Sequence, residues 1–158
     1  MEPLDIAGKT ILVTRPAHQV KELIERLKKQ GANPIALPLI KIEPLHENRQ
    51  ALPPALEAKL QSLFKQDILF FPSKNAVMQL ERLLSEEELN RLKLKTAATV
   101  GDKTKSYLDS LGFKTIISPE KEFNSEGLLK SSHFDPEKIQ DKKVMLIRGI
   151  ADLSLIHI

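Results

Sequence analysis

Apolar residues along this chain fall into two alternating textures: short unbroken runs, and longer stretches in which they recur every three or four positions. Lys9-Thr10-Ile11-Leu12-Val13-Thr14 is short, apolar and β-branched, the pattern of a buried strand. Arg15-Pro16 follows, and proline suits the first turn of a helix because its missing N–H needs no partner there. Val20, Leu23, Ile24 and Leu27 then make one apolar helical stripe, with Lys28 and Lys29 in the last turn and Gly31 supplying the left-handed residue that ends it. Ile35-Ala36-Leu37 reads as a second strand. This opening is one βαβ unit, a connection that builds parallel sheets.

The texture changes over residues 38–54, where Pro38, Pro44, Pro53 and Pro54 punctuate a polar stretch around His46-Glu47-Asn48-Arg49-Gln50. Helix is disfavoured near each proline, so an extended connector is predicted. Leu56, Leu60 and Leu63 then predict a helix, and a second alternation begins. Asp67-Ile68-Leu69-Phe70-Phe71 reads as a strand, and Pro72-Ser73-Lys74-Asn75 as a turn and cap. Ala76, Val77, Leu80, Leu83 and Leu84 mark a helix. Ala97-Ala98-Thr99-Val100 is the next strand, followed by a turn at Gly101-Asp102. Thr104, Tyr107, Leu108 and Leu111 line a helix closed by Gly112, and Thr115-Ile116-Ile117 is a further strand. Asn124 N-caps a helix carrying Leu128 and Leu129. Val144-Met145-Leu146-Ile147 is the last strand and ends at Arg148-Gly149.

Residues 11–38 and 97–119 both run strand, polar turn, amphipathic helix, glycine, strand, proline. The pattern therefore predicts an α/β chain of two doubly wound units, with residues 38–55 between them. After the final strand such a fold needs a covering helix of about ten residues or more. Residues 150–158 carry no helical stripe, so a truncated or foreign tail is the expectation there.

Composition narrows the function. The 158 residues are 41% hydrophobic and 28% charged, as in globular proteins with a real core. The chain lacks cysteine, which excludes disulfides and thiolate metal sites, and the 4 histidines show no i, i+4 pair. No metal or cofactor is expected. No stretch approaches the ~20 apolar residues of a membrane span, and the acidic start Met1-Glu2-Pro3-Leu4-Asp5 is no signal peptide. A cytoplasmic, monomeric protein is the expectation. A net charge of +3, from 24 basic and 21 acidic residues, is too balanced to argue for nucleic acid. The basic residues between Arg91 and Lys105 read as a solvated helix face.

In open parallel sheets, ligands bind beyond the carboxyl ends of the strands. Those ends are Thr14-Arg15, Ser73-Lys74-Asn75, Gly101-Asp102-Lys103-Thr104 and Arg148-Gly149, with Asn124-Ser125 at a further helix start. Hydroxyls, amides, cations and helix N-termini together favour a ligand with several carboxylates or phosphates, although each residue alone is also an ordinary cap. Gly8-Lys9-Thr10 imitates the end of a P-loop, but Pro3 stands where its first glycine should be and the trio precedes a strand. Gly101-Asp102-Lys103-Thr104 is not GxGxxG either. No serine–histidine–acid or paired-carboxylate set can be assembled, so an enzyme of this build would act by shaping its substrate.

Five segments, in order, resemble the uroporphyrinogen-III synthase family. They are Ile11-Leu12-Val13-Thr14-Arg15-Pro16; Asp67-Ile68-Leu69-Phe70-Phe71-Pro72-Ser73-Lys74-Asn75-Ala76-Val77; Val100-Gly101-Asp102-Lys103-Thr104 with Leu108 and Gly112; Phe123-Asn124-Ser125-Glu126-Gly127-Leu128-Leu129; and Val144-Met145-Leu146-Ile147-Arg148-Gly149. Phe71-Pro72 departs from the threonine that usually precedes the serine. The resemblance implies two flavodoxin-like α/β domains joined by a two-stranded β connector. Residues 1–37 would belong to a first domain left incomplete, residues 38–55 to the connector and residues 56–150 to the second domain, while residues 151–158 match nothing in the family. It also implies an enzyme of porphyrin biosynthesis, a lyase that cyclises the polycarboxylate linear tetrapyrrole hydroxymethylbilane, with ring D inverted and water lost. Matching positions would make Thr14, Arg15, Ser73, Asn75, Thr104 and Ser125 carboxylate contacts, with Thr104 the best candidate to touch the pyrrole framework. Tyr107 reads as a packing residue. The rival readings are a non-catalytic anion-binding or regulatory module, and an inactive fragment.

Overall fold

In the computed structural model, which describes residues 5–44, 46 and 48–148, every strand pair runs parallel. The strands form a two-stranded and a four-stranded sheet, which fall in separate units of chain, Met1–Pro44 and Leu45–Ile158. The expected tail, residues 151–158, lies outside the described residues.

In the first unit β1 (Thr10–Val13) pairs with β2 (Asn33–Ala36), and helix α1 (Val20–Lys29) connects them. The helix starts later than Pro16 predicted. Gln19 N–H donates to the Pro16 carbonyl at 2.8 Å, so the first turn closes as a 3-10 turn over Ala17–Gln19 before α-helical geometry takes over. Gly31 ends α1 at φ 79°, a conformation that a β-carbon would strain. Its carbonyl accepts from Gly8 N–H at 2.8 Å. That bond fixes the Gly8-Lys9-Thr10 turn as the entry to β1. Pro34 is accommodated inside β2 because the strand has one partner among the described residues, leaving an edge that needs no ladder donor.

The implied β connector is not seen. Among the described residues no strand lies between β2 and β3, because extended, proline-marked backbone without a hydrogen-bonded neighbour forms no ladder. Its far end is pinned instead by Arg49, in a short 3-10 turn (Arg49–Ala51) capped by Asn48. Arg49 donates to both carboxylate oxygens of Glu57, at 3.1 and 2.6 Å, and to Glu88 at 2.5 Å.

The second unit is built on β3 (Ile68–Phe71), β4 (Thr96–Thr99), β5 (Thr115–Ile117) and β6 (Val144–Leu146), in the order β5-β4-β3-β6. Asp67 sets the β3–β6 register from the amino edge: its carboxylate accepts from Lys143 N–H at 2.8 Å. That bond, helped by nearby lysines, holds its pKa below the ordinary carboxylate value. Pleating sends alternate residues to opposite faces. Leu69, Phe71 and Ala97 meet Leu60 and Leu63 at the end of α2 (Pro54–Ser62), Val77 and Leu80 of α3 (Lys74–Leu83), Leu92 of α4 (Glu86–Leu92) and Leu108 of α5 (Asp102–Leu111). On the other face Ile68, Ala98 and Ile117 meet Leu128 of α6 (Ser125–Leu129), with Phe134 alongside. Each fully buried Leu or Phe contributes about 1.5–3 kcal/mol. The sheet is therefore sandwiched between helices, and its winding reverses between β3 and β6.

Two helices were absent from the sequence expectation, α4 and the short α7 (Pro136–Ile139). Ser85 and Glu88 form a full capping box at the start of α4, a signal present in Ser85-Glu86-Glu87-Glu88. Among the described residues no helix is long and apolar enough to cross a membrane.

Candidate functional site

Because β3 to β6 are parallel, their carboxyl ends open on one edge of the four-stranded sheet. The reversal of winding between β3 and β6 is where ligands of doubly wound folds sit. Ser73 follows β3 and caps α3, its hydroxyl accepting from Ala76 N–H at 3.3 Å. Serine is favoured there because its side chain satisfies a helix N–H that has no partner in the preceding turn. Asn75 is half-buried in the same first turn, and Arg148 is exposed just past β6.

Beyond β4, Gly101 starts α5 and Thr104 lies in its first turn, next to α3. Thr104 is only 4% exposed. Beyond β5, Asn124 caps α6 through its side-chain oxygen, which accepts from Gly127 N–H at 2.7 Å, and Ser125 is exposed beside it. Gly127 has to be glycine, since a β-carbon there would lie 2.0 Å from the Glu122 carbonyl oxygen. This contact folds residues 118–123 over the end of β5. There they bound a cleft of about 790 Å³, to which α5 contributes Asp102 and Lys105, and Lys130, the residue that ends α6, also lines it.

The cleft mixes signs. Lys105, Lys121 and His133 line it, while Lys130 is engaged by Glu122 at 2.9 Å, which raises the lysine pKa. Such a lining can hold carboxylates on its cations and accept N–H groups on Asp102 or Glu120. Thr99 closes β4 with its hydroxyl fully buried and without a hydrogen-bond partner. No cluster of histidine, aspartate and glutamate able to hold a metal occurs among the described residues.

Of the expected site residues, Ser73, Asn75, Thr104 and Ser125 follow the strands of the second sheet, with Ser73, Asn75 and Thr104 on adjacent helix starts. Thr14 and Arg15 belong to the first unit and are exposed at the carboxyl end of β1. Sequence reasoning placed Lys74 among the strand-end residues without carrying it into the site set, and it took Tyr107 for packing alone. The Lys74 ammonium sits 4.6 Å from the Tyr107 ring centroid, and the Tyr107 hydroxyl donates to Glu81 at 2.7 Å. That hydrogen bond, with partial burial, pushes the phenol pKa up to about 12. The missed signal was Lys74 at the first position of a helix, where an acidic residue is favoured.

A parallel α/β sheet with polar helix starts gathered on its carboxyl edge describes a class of small-molecule binding proteins and enzymes. Sequence comparison is more specific. The family model of uroporphyrinogen-III synthase HemD matches residues 21–156. The uroporphyrinogen-III synthase of Proteus mirabilis is 33% identical over 145 residues, 89% of this chain and 67% of that protein. The Escherichia coli (strain K12) enzyme is 30% identical over 147 residues, 93% and 57% of the two chains. The Chlorobaculum parvum enzyme is 28% identical over 151 residues, 94% and 56%. The chain belongs to the uroporphyrinogen-III synthase family, and it spans about half to two thirds of the length of these relatives.

Proposed function

We propose that this chain acts as a uroporphyrinogen-III synthase in tetrapyrrole biosynthesis, binding hydroxymethylbilane and closing it with ring D inverted. On this reading, residues 1–37 and 56–150 belong to two α/β domains of the flavodoxin-like kind, joined by residues 38–55, and the protein works as a cytoplasmic monomer. The observation that carries the proposal is membership of the family across residues 21–156, together with polar helix starts on one edge of the second sheet. The substrate is flexible, rich in carboxylates and equipped with pyrrole N–H donors. The exposed Ser73 and Ser125, half-buried Asn75 and the mixed-charge cleft near Lys105 suit those groups, and Thr14 and Arg15, exposed in the first unit, offer the same chemistry there.

In the reaction, the C–O bond of the ring A hydroxymethyl group breaks and the oxygen leaves as water. The same carbon bonds to the already substituted carbon of ring D. In the resulting spiro intermediate the older bond from that ring D carbon to its bridge from ring C breaks. The freed bridge carbon bonds to the unsubstituted α-carbon of ring D, and the proton lost there balances the one that left with the oxygen as water. Uncatalysed closure gives the uninverted isomer, so holding the chain in the productive conformation is the main task, an effect worth up to ~7–11 kcal/mol. Thr104 acts from within α5, positioning the helix start more than reaching into bulk solvent.

Incubation of the purified chain with hydroxymethylbilane, followed by oxidation and chromatographic separation of isomers, tests the proposal. Type III in excess of type I is expected; type I alone, at the spontaneous rate, would refute it. Retained binding without type III would instead support a non-catalytic anion-binding module. Thr104→Val keeps the shape and removes the hydroxyl. It is expected to lower turnover by about tenfold while shifting stability little, and unchanged turnover per folded molecule would remove Thr104 from the site.

A further inference from the structure

We infer that Lys74 is a substrate-binding residue: a cation seated on the face of Tyr107 that takes one carboxylate of the tetrapyrrole beside the start of α3. The inference deepens the proposed function and rests on that reading. Two contacts and one absence carry it. The Lys74 ammonium is stacked 4.6 Å from the centroid of the Tyr107 ring. The ring is itself anchored, because its hydroxyl donates to Glu81 Oε2 at 2.7 Å. No carboxylate forms an ion pair with Lys74 among the described residues, so its N–H groups remain available to an anion.

The arrangement separates holding a charge from neutralising it. A glutamate placed directly on Lys74 would fix the side chain but cancel the cation. Here Glu81 holds Tyr107, and the electron-rich ring face holds Lys74 while leaving its positive charge intact. Donation of the phenol proton toward Glu81 enriches the ring further, which strengthens its grip on the ammonium. Position also matters. Tyr107, in the second turn of the ten-residue α5, meets α3 at two points, its ring at Lys74 in the first turn and its hydroxyl at Glu81 near the other end. Lys74 directly follows the Ser73 cap, and the first turn of α3 contains no acidic residue. A lysine at that position opposes the helix dipole and gains nothing locally. Local rules broken in this way concentrate at functional sites.

The test combines steady-state kinetics on hydroxymethylbilane with equilibrium titration of uroporphyrin III, a stable polycarboxylate of the product's shape, using the full chain. Lys74→Gln is expected to raise KM and the uroporphyrin Kd by about tenfold, with kcat and the isomer ratio changed less than twofold, and to flatten the salt dependence of Kd. Lys74→Arg should restore binding to within about threefold, since arginine also stacks on aromatic rings. Tyr107→Leu should reproduce most of the Lys74→Gln loss, and the double variant should bind no worse than Lys74→Gln alone, the signature of coupled residues. Should Tyr107→Leu fail to fold, Tyr107→Phe, which keeps the ring and releases Glu81, should weaken binding by about threefold. Unchanged KM and Kd in Lys74→Gln, in a background where the parent chain makes type III and binds uroporphyrin, would overturn the inference and leave the function standing. A parent chain that does neither would overturn both.

Discussion

The two sheets of this protein begin from similar sequence and end in different environments. Ile11-Leu12-Val13 and Ile68-Leu69-Phe70 are alike as text. In the four-stranded sheet, Leu69, Phe71, Ala97 and Ala98 are all 0% exposed, because helices cover both faces. In the two-stranded sheet, Val13 is buried, but Leu12 and its partner across the ladder, Ile35, remain 54% and 53% exposed. Leu37, Leu39 and Ile40 extend that open apolar surface. One helix can cover one face of a two-stranded sheet and no more, and pairs of strands are marginal by themselves. An apolar run therefore specifies a strand without specifying how much of it is buried.

The comparison is broken most easily in the core. Leu69→Ala is expected to destabilise the second unit by about 2–5 kcal/mol in denaturant unfolding, through lost transfer energy and a cavity. Leu12→Ala should cost about 0.5 kcal/mol or less, as exposed positions usually do. Equal losses would mean that the first sheet's open face is covered in solution. Amide exchange sharpens the same contrast: β1 and β2 amides should exchange well before those of β3 and β4.

A smaller effect concerns Arg49. Its hydrogen bonds lower the pKa of Glu57 to about 2 and depress that of Glu88 as well. Carboxylates with depressed folded-state pKa values stabilise the protein above their unfolded value near 4.5 and lose that contribution as pH falls toward the folded value. Stability should thus decline between pH 4.5 and about 2, the window set by Glu57, and Arg49→Ala should flatten that decline. At neutral pH the same variant should cost about 1 kcal/mol or less, since the cluster is partly solvated. Acid titrations of parent and variant that superimpose would remove this cluster from the account. The smallest effect is expected at Thr99. Thr99→Val removes a buried hydroxyl without a partner and should be neutral or stabilise by up to about 1 kcal/mol. A marked destabilisation would show that the hydroxyl is satisfied in solution.

Much of the local structure was legible because its signals are local. Asn124 before Ser125-Glu126 announced a helix start, and Gly31 and Gly112 announced helix ends, which the structure places at φ 79° and 90°. Ser85-Glu86-Glu87-Glu88 carried an equally local signal for α4 that went unread. Asp67 stands in a motif that suggests chemistry, yet it sits at the amino edge of the sheet, holding β6. Thr104 shares the helix-spaced stripe of Tyr107, Leu108 and Leu111, and it is 4% exposed. Which helix packs against that face, α3, is what the spacing within α5 does not record.

By itself, then, the sequence determined which segments become strands and helices, which face of each is apolar, and the family to which their order belongs. Those properties depend on side-chain periodicity and on residues at most a few positions apart. Only the tertiary structure decided the strand order β5-β4-β3-β6, the exposure of Leu12 and Ile35, the seating of Lys74 on Tyr107 and the union of Arg49 with Glu57 and Glu88. Each of these follows from contacts between elements, and an element's own pattern states that it has a partner without stating which one.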